Sequence, residues 1–311
     1  MPSPETLELA RPHGLLLRGS CWRAEPARNE ARTVYLVHGL GEHIGRYEAL
    51  AAWFNARGWQ VRGHDHRGHG RSDGRRGVLA HTDDLVADLA AALDALAVDA
   101  ASPPLLFGHS LGGLVAATYA LRHPERLCGL VLSSPALDPG MSGGQRLLLA
   151  VMSALAPDVT VGNGLDPTKL SHDADAVRRY LDDPLVHDRI SARLGRFIAD
   201  ASAQAVDRAA ALAVPTLLLY AGDDRLVDPA GSRRFAAAAP VSLLTAHEYP
   251  GLWHEIFNEA SPARERVLAD LDAWLMARWP AVAGARALAE APEAPGPGPG
   301  PGSGPGPGPH R

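Results

Sequence analysis

Short, wholly apolar runs alternate with stretches whose apolar residues recur every three or four positions, and this alternation organises the first half of the chain. Thr6 to Trp22 carries apolar runs broken at Pro12-His13-Gly14, which predicts an opening hairpin. Thr33 to Val37 is a compact run ending in His38-Gly39, as expected of a strand buried on both faces. Leu50, Trp53 and Phe54 give Tyr47 to Arg57 a helical spacing, closed by Gly58. Gln60 to Asp65 follows as a short second strand. From Thr82, the residues Leu85, Leu89, Leu93 and Leu96 make one helical face, with Thr82 as N-cap and Asp83 and Asp84 in the first turn. Leu105 to Phe107 opens another strand, a helix runs to Arg122, and Leu127 to Ser133 is strand again. Strand–helix alternation of this kind predicts an α/β fold, a mostly parallel sheet with helices on both faces.

Between about 138 and 206 the alternation stops, and the pattern is helical and irregular with no convincing buried strand. It resumes at Thr216–Tyr220, then a helix around Ser232–Ala239, a strand at Leu243–Tyr249 and a helix from Ser261 to Trp279. The expected organisation is therefore a core of residues 1–137 and 207–280, with residues 138–206 inserted as a helical cap. Within the insertion, Gln145 to Leu155 is apolar nearly all round. It reads either as a helix buried in the cap or as a greasy lid that lines a channel or meets a lipid surface. Residues 281–311 turn Ala/Pro-rich and then alternate Gly and Pro. The period of two excludes a collagen helix, so a disordered tail outside any catalytic machinery is expected.

Composition narrows the classes. A formal charge of −5 gives no basic excess, so no nucleic-acid partner is expected. Cys21 and Cys128 are too few for a disulfide framework, and Cys128 sits in an apolar run as a small hydrophobe. The first residues lack a basic segment followed by an apolar one, and no apolar run reaches a bilayer's width. A cytoplasmic protein is the expectation, and oligomeric state is left open.

The candidate chemistry starts where the third buried strand ends, at Gly108-His109-Ser110-Leu111-Gly112-Gly113. G-x-S-x-G between strand and helix is the nucleophile-elbow pattern: a tight turn lifts the serine above the sheet, and glycines stand where strand and helix nearly touch. A serine hydroxyl needs a base, and the base an orienting carboxylate. The elbow order is Ser, then Asp or Glu, then His, and ligands sit beyond the carboxyl ends of parallel strands. Of fourteen histidines, His254 lies just past the strand Leu243–Tyr249, whereas His247 lies within it. Past Tyr220, Asp224 is the first candidate acid and Asp223 the second, with Asp228 read as a helix N-cap before Pro229. Oxyanion donors are expected from the backbone N–H groups of Leu111 and of Leu40, which stands between Gly39 and Gly41.

His64-Asp65-His66-Arg67-Gly68-His69 holds H-x-H-x-x-H, a spacing also found in binuclear metal loops. Here Gly68 replaces the carboxylate that should precede the last histidine, and Arg67 would repel a cation, so no metal is expected. The loop reads instead as a tight, hydrogen-bonded turn after the second strand, with Asp65 and Arg67 available to pair internally.

Six stretches in order resemble the monoacylglycerol lipase/lysophospholipase family of α/β-hydrolases. They are His38–Tyr47, His64–Ser72, Gly108–Gly113, Tyr180–Val186, Gly222–Asp228 and Tyr249–Glu255, and the likeness runs from about Leu7 to Trp279. The resemblance implies a capped α/β-hydrolase fold, no cofactor, and Asp224 as the acid of a Ser110, Asp224 and His254 triad. It further implies that Glu42, Arg46, His109 and Tyr180 lie near the glycerol head group. The implied function is cleavage of a small lipid ester, a monoacylglycerol, to fatty acid and glycerol; the greasy-lid reading of Gln145 to Leu155 adds transient contact of the cap with a membrane or lipid surface. A lysophospholipase or general carboxylesterase would use the same triad. An aminopeptidase of this fold or a non-enzymatic lipid-binding module are the further alternatives.

Overall fold

The computed structural model describes residues 3–24, 32–97 and 102–280; the expectation for the tail at 281–311 lies outside them. Strands β1 (Glu5–Ala10) and β2 (Leu16–Trp22) form the opening hairpin. β3 (Thr33–Val37), α1 (Glu48–Asn55), β4 (Gln60–His64), α2 (Asp84–Ala97), β5 (Leu105–His109), α3 (Leu111–Arg122) and β6 (Gly129–Ser133) follow in the alternation the sequence predicts. The inserted segment holds α4 (Gly143–Leu155), β7 (Thr160–Gly162), α5 (Ala174–Leu181), β8 (Arg189–Ser191) and α6 (Ala192–Asp207). β9 (Thr216–Ala221), α7 (Pro229–Ala238), β10 (Leu244–Tyr249) and α8 (Ala263–Arg278) complete the order.

Eight strands make one sheet in the order β1-β2-β4-β3-β5-β6-β9-β10, with β2 antiparallel to both neighbours and every pairing beyond β4 parallel. Side chains along a strand point to opposite faces in turn, and the core divides accordingly. Tyr35, Leu106, Leu132 and Leu218 join the layer built on α2 and α3. Leu36, Phe107, Val131 and Leu219 join the layer built on α1 and α8. Both faces are therefore dry, which is why β3, β5, β6 and β9 read as unbroken apolar runs.

Several expectations are corrected. Helix α2 begins at Asp84, so Thr82 is not its cap; the Asp84 carboxylate instead bends back to accept from the N–H groups of Ala80 and His81. Asp65 and Arg67 do not pair with each other. Asp65 accepts from the N–H groups of Ile44 and Arg71, while Arg67 bonds to Asp84 and Asp88. Helix α4 buries none of its residues, against the reading of a helix enclosed in the insertion: Leu147, Leu148 and Leu155 are 68%, 62% and 80% exposed. The insertion also contains a two-stranded ribbon of β7 and β8, which the sequence does not announce because strands of three residues are too short to show an alternation. Asp228, by contrast, caps α7 as expected, accepting from the Ala230 N–H at 2.8 Å.

Candidate active site

β5 runs buried to His109, and the next residue turns the chain into α3. Ser110 takes φ 53° and ψ −119°, a conformation L-residues avoid and one that costs about 1–3 kcal/mol. The surroundings hold it there. Its N–H donates to the Ser133 carbonyl at 3.0 Å, and its own carbonyl accepts from Leu114 and Ala136. The flanking glycines are obligatory. A Cβ on Gly108 would overlap the Gly112 carbonyl, and one on Gly112 would overlap the carbonyls of Val37 and His38. Close packing of β5, α3 and the end of β3 thus raises the hydroxyl above the sheet.

Two other strand ends meet it there. The loop after β9 brings Asp224 and the loop after β10 brings His254, whose Nδ1–H donates to Asp224 Oδ2 at 2.7 Å. His254 Nε2 faces Ser110 Oγ at 2.8 Å. The second oxygen of Asp224 accepts from the N–H groups of Leu226 (2.8 Å) and Val227 (3.0 Å), so the carboxylate is held on both sides. Burial alone would raise the Asp224 pKa, but His254 and these N–H groups hold it below the usual carboxylate range. Burial likewise opposes charge on His254, yet Asp224 outweighs it and raises the imidazole above its ordinary value. Asp223 is exposed and His247 stays within β10, so neither reaches the serine.

The backbone N–H groups expected as oxyanion donors are those of Leu40 and Leu111. Among the described residues, neither the Leu40 nor the Leu111 N–H has an acceptor within the protein. Gly39, Leu40, Ser110 and His254 share a cavity of about 320 Å³ with Leu165, Leu170 and Tyr180 of the inserted segment. The segment is pinned above it: the His187 N–H donates to the Gly41 carbonyl, the Ser191 N–H to Gly77, and His43 Nε2 bonds Asp183.

The four residues expected near a head group divide into two kinds. Glu42 and Arg46 are turned to protein partners. Glu42 accepts from the Gly39 N–H (2.6 Å) and the Tyr47 hydroxyl (2.7 Å), and Arg46 bridges Glu42 and Glu255. Burial would raise both carboxyl pKa values, and the guanidinium between them keeps both low. His109 and Tyr180 line the cavity with polar atoms to spare. His109 Nδ1 bonds Ser133, its ring lies 4.9 Å from that of His254, and burial beside His254 lowers its pKa to about 4. A second cavity of about 370 Å³, lined by Trp53, Phe107 and Leu268, lies against the same Glu42, His109 and Glu255.

Sequence reasoning missed two supports. Glu259, 1% exposed, accepts from the N–H of Trp253, the residue before His254, and from the His172 N–H of the inserted segment. The signal was faint, a carboxylate five residues past a histidine. The other support is the pair His38 and His66. His38 Nε2 accepts from the His66 backbone N–H (2.8 Å), and His66 Nε2–H donates to the His38 carbonyl (3.0 Å). The three histidines of H-x-H-x-x-H are thereby spread over separate partners, since His64 bonds Tyr35 and His69 bonds the Arg67 carbonyl.

Residues 28–261 match the family described as Hydrolase_4, serine aminopeptidase, S33. A monoacylglycerol lipase of Mycolicibacterium smegmatis is 36% identical over 255 residues, covering 81% of this chain and 90% of the relative. A monoglyceride lipase of Rattus norvegicus is 30% identical, with 93% of this chain and 95% of the relative covered. Among solved structures, the monoacylglycerol lipase of Paleococcus ferrophilus superposes with a TM-score of 0.77 at 37% identity, covering 84% of this chain and 99% of that one.

Proposed function

This chain belongs to the monoacylglycerol lipase family of α/β-hydrolases, and from that premise we propose that it hydrolyses monoacylglycerols to fatty acid and glycerol through an acyl-enzyme on Ser110. The observation that carries the reading is the unbroken hydrogen-bond chain from Asp224 through His254 to a serine held in a left-handed turn. In the first half-reaction His254 Nε2 takes the Ser110 proton as Oγ adds to the ester carbonyl. Leu40 and Leu111 N–H groups receive the oxyanion, and the proton passes from His254 to the departing glycerol oxygen. Water then gives a proton to His254 as it attacks the acyl carbon; the acyl–Oγ bond breaks, Ser110 Oγ takes that proton back from His254, and the fatty acid is released. Asp224 keeps the Nδ1–H tautomer and stabilises the imidazolium.

Residues 138–206 act as a cap in this reading, supported by their share in the lining of the Ser110 cavity. His109 and Tyr180 are the group nearest the glycerol, with Glu42 and Arg46 as the frame that holds them. The exposed leucines of α4 give the cap a surface for transient contact with lipid, from which the substrate would be drawn. Among the described residues no helix is long and apolar enough to cross a membrane. The same reading puts the enzyme in the cytoplasm, where cysteines such as Cys21 and Cys128 stay reduced.

A peptidase specificity is disfavoured by the cavity's charges. Its four carboxylates, Glu42, Asp183, Asp188 and Glu255, each have a basic side chain within reach: Arg46, His43, Arg189 and Arg46. The two buried ones, Glu42 and Glu255, already have oxygens on Arg46, so a substrate's amino group would have to compete with that guanidinium. Turnover of monoacylglycerols from C8 to C18, beside p-nitrophenyl esters, lysophosphatidylcholine and a prolyl arylamide, tests the assignment. A preference for the glycerides by tenfold or more is expected. Activity on p-nitrophenyl esters alone would retain the triad and remove the lipid assignment.

A further inference from the structure

The histidine-rich loop after β4 has no role in the mechanism just described, yet it is built against the turn that carries one oxyanion donor. The Leu40 N–H and the Gly39 carbonyl belong to one peptide group, which is planar and trans, so they point in opposite directions. Whatever holds the Gly39 carbonyl therefore aims the Leu40 N–H. The His38 ring does this, with Nδ1 2.8 Å from Gly39 O. Nδ1 must carry the proton, because the other ring nitrogen, Nε2, accepts the His66 backbone N–H at 2.8 Å. His66 closes the clasp through its side chain, whose Nε2–H donates to the His38 carbonyl at 3.0 Å. The rings of His38 and His66 lie 4.3 Å apart and both residues are wholly buried, so the arrangement has little freedom to tilt. On the other side of Gly39, its N–H is held by Glu42 at 2.6 Å.

We propose that His38 is a positioning residue for the oxyanion site: locked as the Nδ1–H tautomer by His66, it grips the Gly39 carbonyl and so directs the Leu40 N–H toward the carbonyl oxygen of the substrate. This inference rests on the ester-hydrolase reading and on Leu40 as a donor. It deepens that reading by giving the H-x-H-x-x-H loop a catalytic purpose without a metal. A peptide plane tilted away from the developing charge forfeits much of what an oxyanion donor contributes, which is about 10²–10³-fold in kcat when one is removed outright. The ground-state ester needs that bond far less, so the effect falls on kcat and not on KM.

The test compares His38→Phe, which keeps a buried ring without nitrogens, with His38→Asn, whose amide can still donate to the Gly39 carbonyl. His66→Ala removes only the side-chain half of the clasp, and serves if His38→Phe fails to fold. Each variant is checked for a native circular dichroism spectrum, then assayed on 1-monooleoylglycerol and timed for labelling by a fluorophosphonate, whose phosphoryl oxygen occupies the oxyanion position. The expected result is a fall in kcat of about 30- to 100-fold for His38→Phe. KM should move by less than threefold, labelling should slow in parallel, and His38→Asn should recover at least tenfold of the loss. His66→Ala should lose about 5- to 10-fold in kcat with the same split. Folded variants whose kcat and labelling rate stay within threefold of the parent would overturn the proposal. So would a loss that appears in KM, or one that His38→Asn fails to restore. If the parent itself is not labelled at Ser110, the ester-hydrolase reading fails instead, and the two failures stay separate.

Discussion

A hydroxyl becomes a nucleophile here only because two other side chains arrive at hydrogen-bond distance, and the consequences can be measured residue by residue. Ser110→Ala should lower kcat by about 10⁶-fold in a monoacylglycerol assay while leaving the circular dichroism spectrum unchanged. Asp224 raises the pKa of His254, and the reaction needs the unprotonated imidazole. Activity should therefore climb as pH rises, with the midpoint of the acid limb of kcat/KM above about 6.5. Asp224→Asn should move that midpoint down and cost about 10⁴-fold in kcat. A pH–rate profile of parent and variant checks both; a parent midpoint below 6 would contradict the geometry. The three side chains named from the sequence do meet in space, because each stands just past a strand end. Glu42 and Arg46 were legible only as charged residues in a motif. Their principal partners, Gly39, Tyr47 and Glu255, are facts of folding, and Glu255 lies 209 positions from Arg46.

At the scale of elements, the elbow is the contact of three pieces of backbone. Gly112→Ala would press a methyl group into the carbonyls of Val37 and His38, so both the start of α3 and the end of β3 must shift. A loss of about 2 kcal/mol is expected, seen as a melting temperature lower by about 5 °C. The loop after β4 is tied to α2 in a different way. Asp88 is completely buried and accepts from Arg67 on one side and Arg11 on the other. Arg67→Ala removes the main partner of a buried charge and should cost about 3 kcal/mol in a urea titration. That loop was visible in the sequence as a run of histidines and arginines, but its pairings were not. Periodicity reports which face of an element is apolar, and loops have no period.

For the whole molecule, the question is how a buried site reaches an insoluble substrate. Helix α4 exposes Leu147, Leu148 and Leu155 on the inserted segment that helps line the Ser110 cavity. Replacing all three by Ser should weaken co-sedimentation with phosphatidylcholine vesicles by about 100-fold or more, since each buried leucine contributes on the order of 1 kcal/mol or more. Turnover of dissolved p-nitrophenyl butyrate should stay within twofold. A loss of p-nitrophenyl butyrate turnover as large as the loss of vesicle binding would mean that α4 shapes the site itself, not its access to lipid.

What the sequence determined by itself was what depends on near neighbours. Apolar runs and helical spacing specified the alternating strands and helices. The glycines around Ser110 specified a turn no other residue could make, and the strand ends marked where chemistry could gather. What only the tertiary structure decided was every matter of partnership between distant positions. It turned Asp224 rather than Asp223 toward His254, faced Arg46 to Glu255, left α4 uncovered, and set His38 against His66. The reason is physical. Secondary structure follows from the chain's local sterics and solvation, whereas the occupant of a buried hydrogen bond is chosen by which of many candidates the packed core brings within about 3 Å.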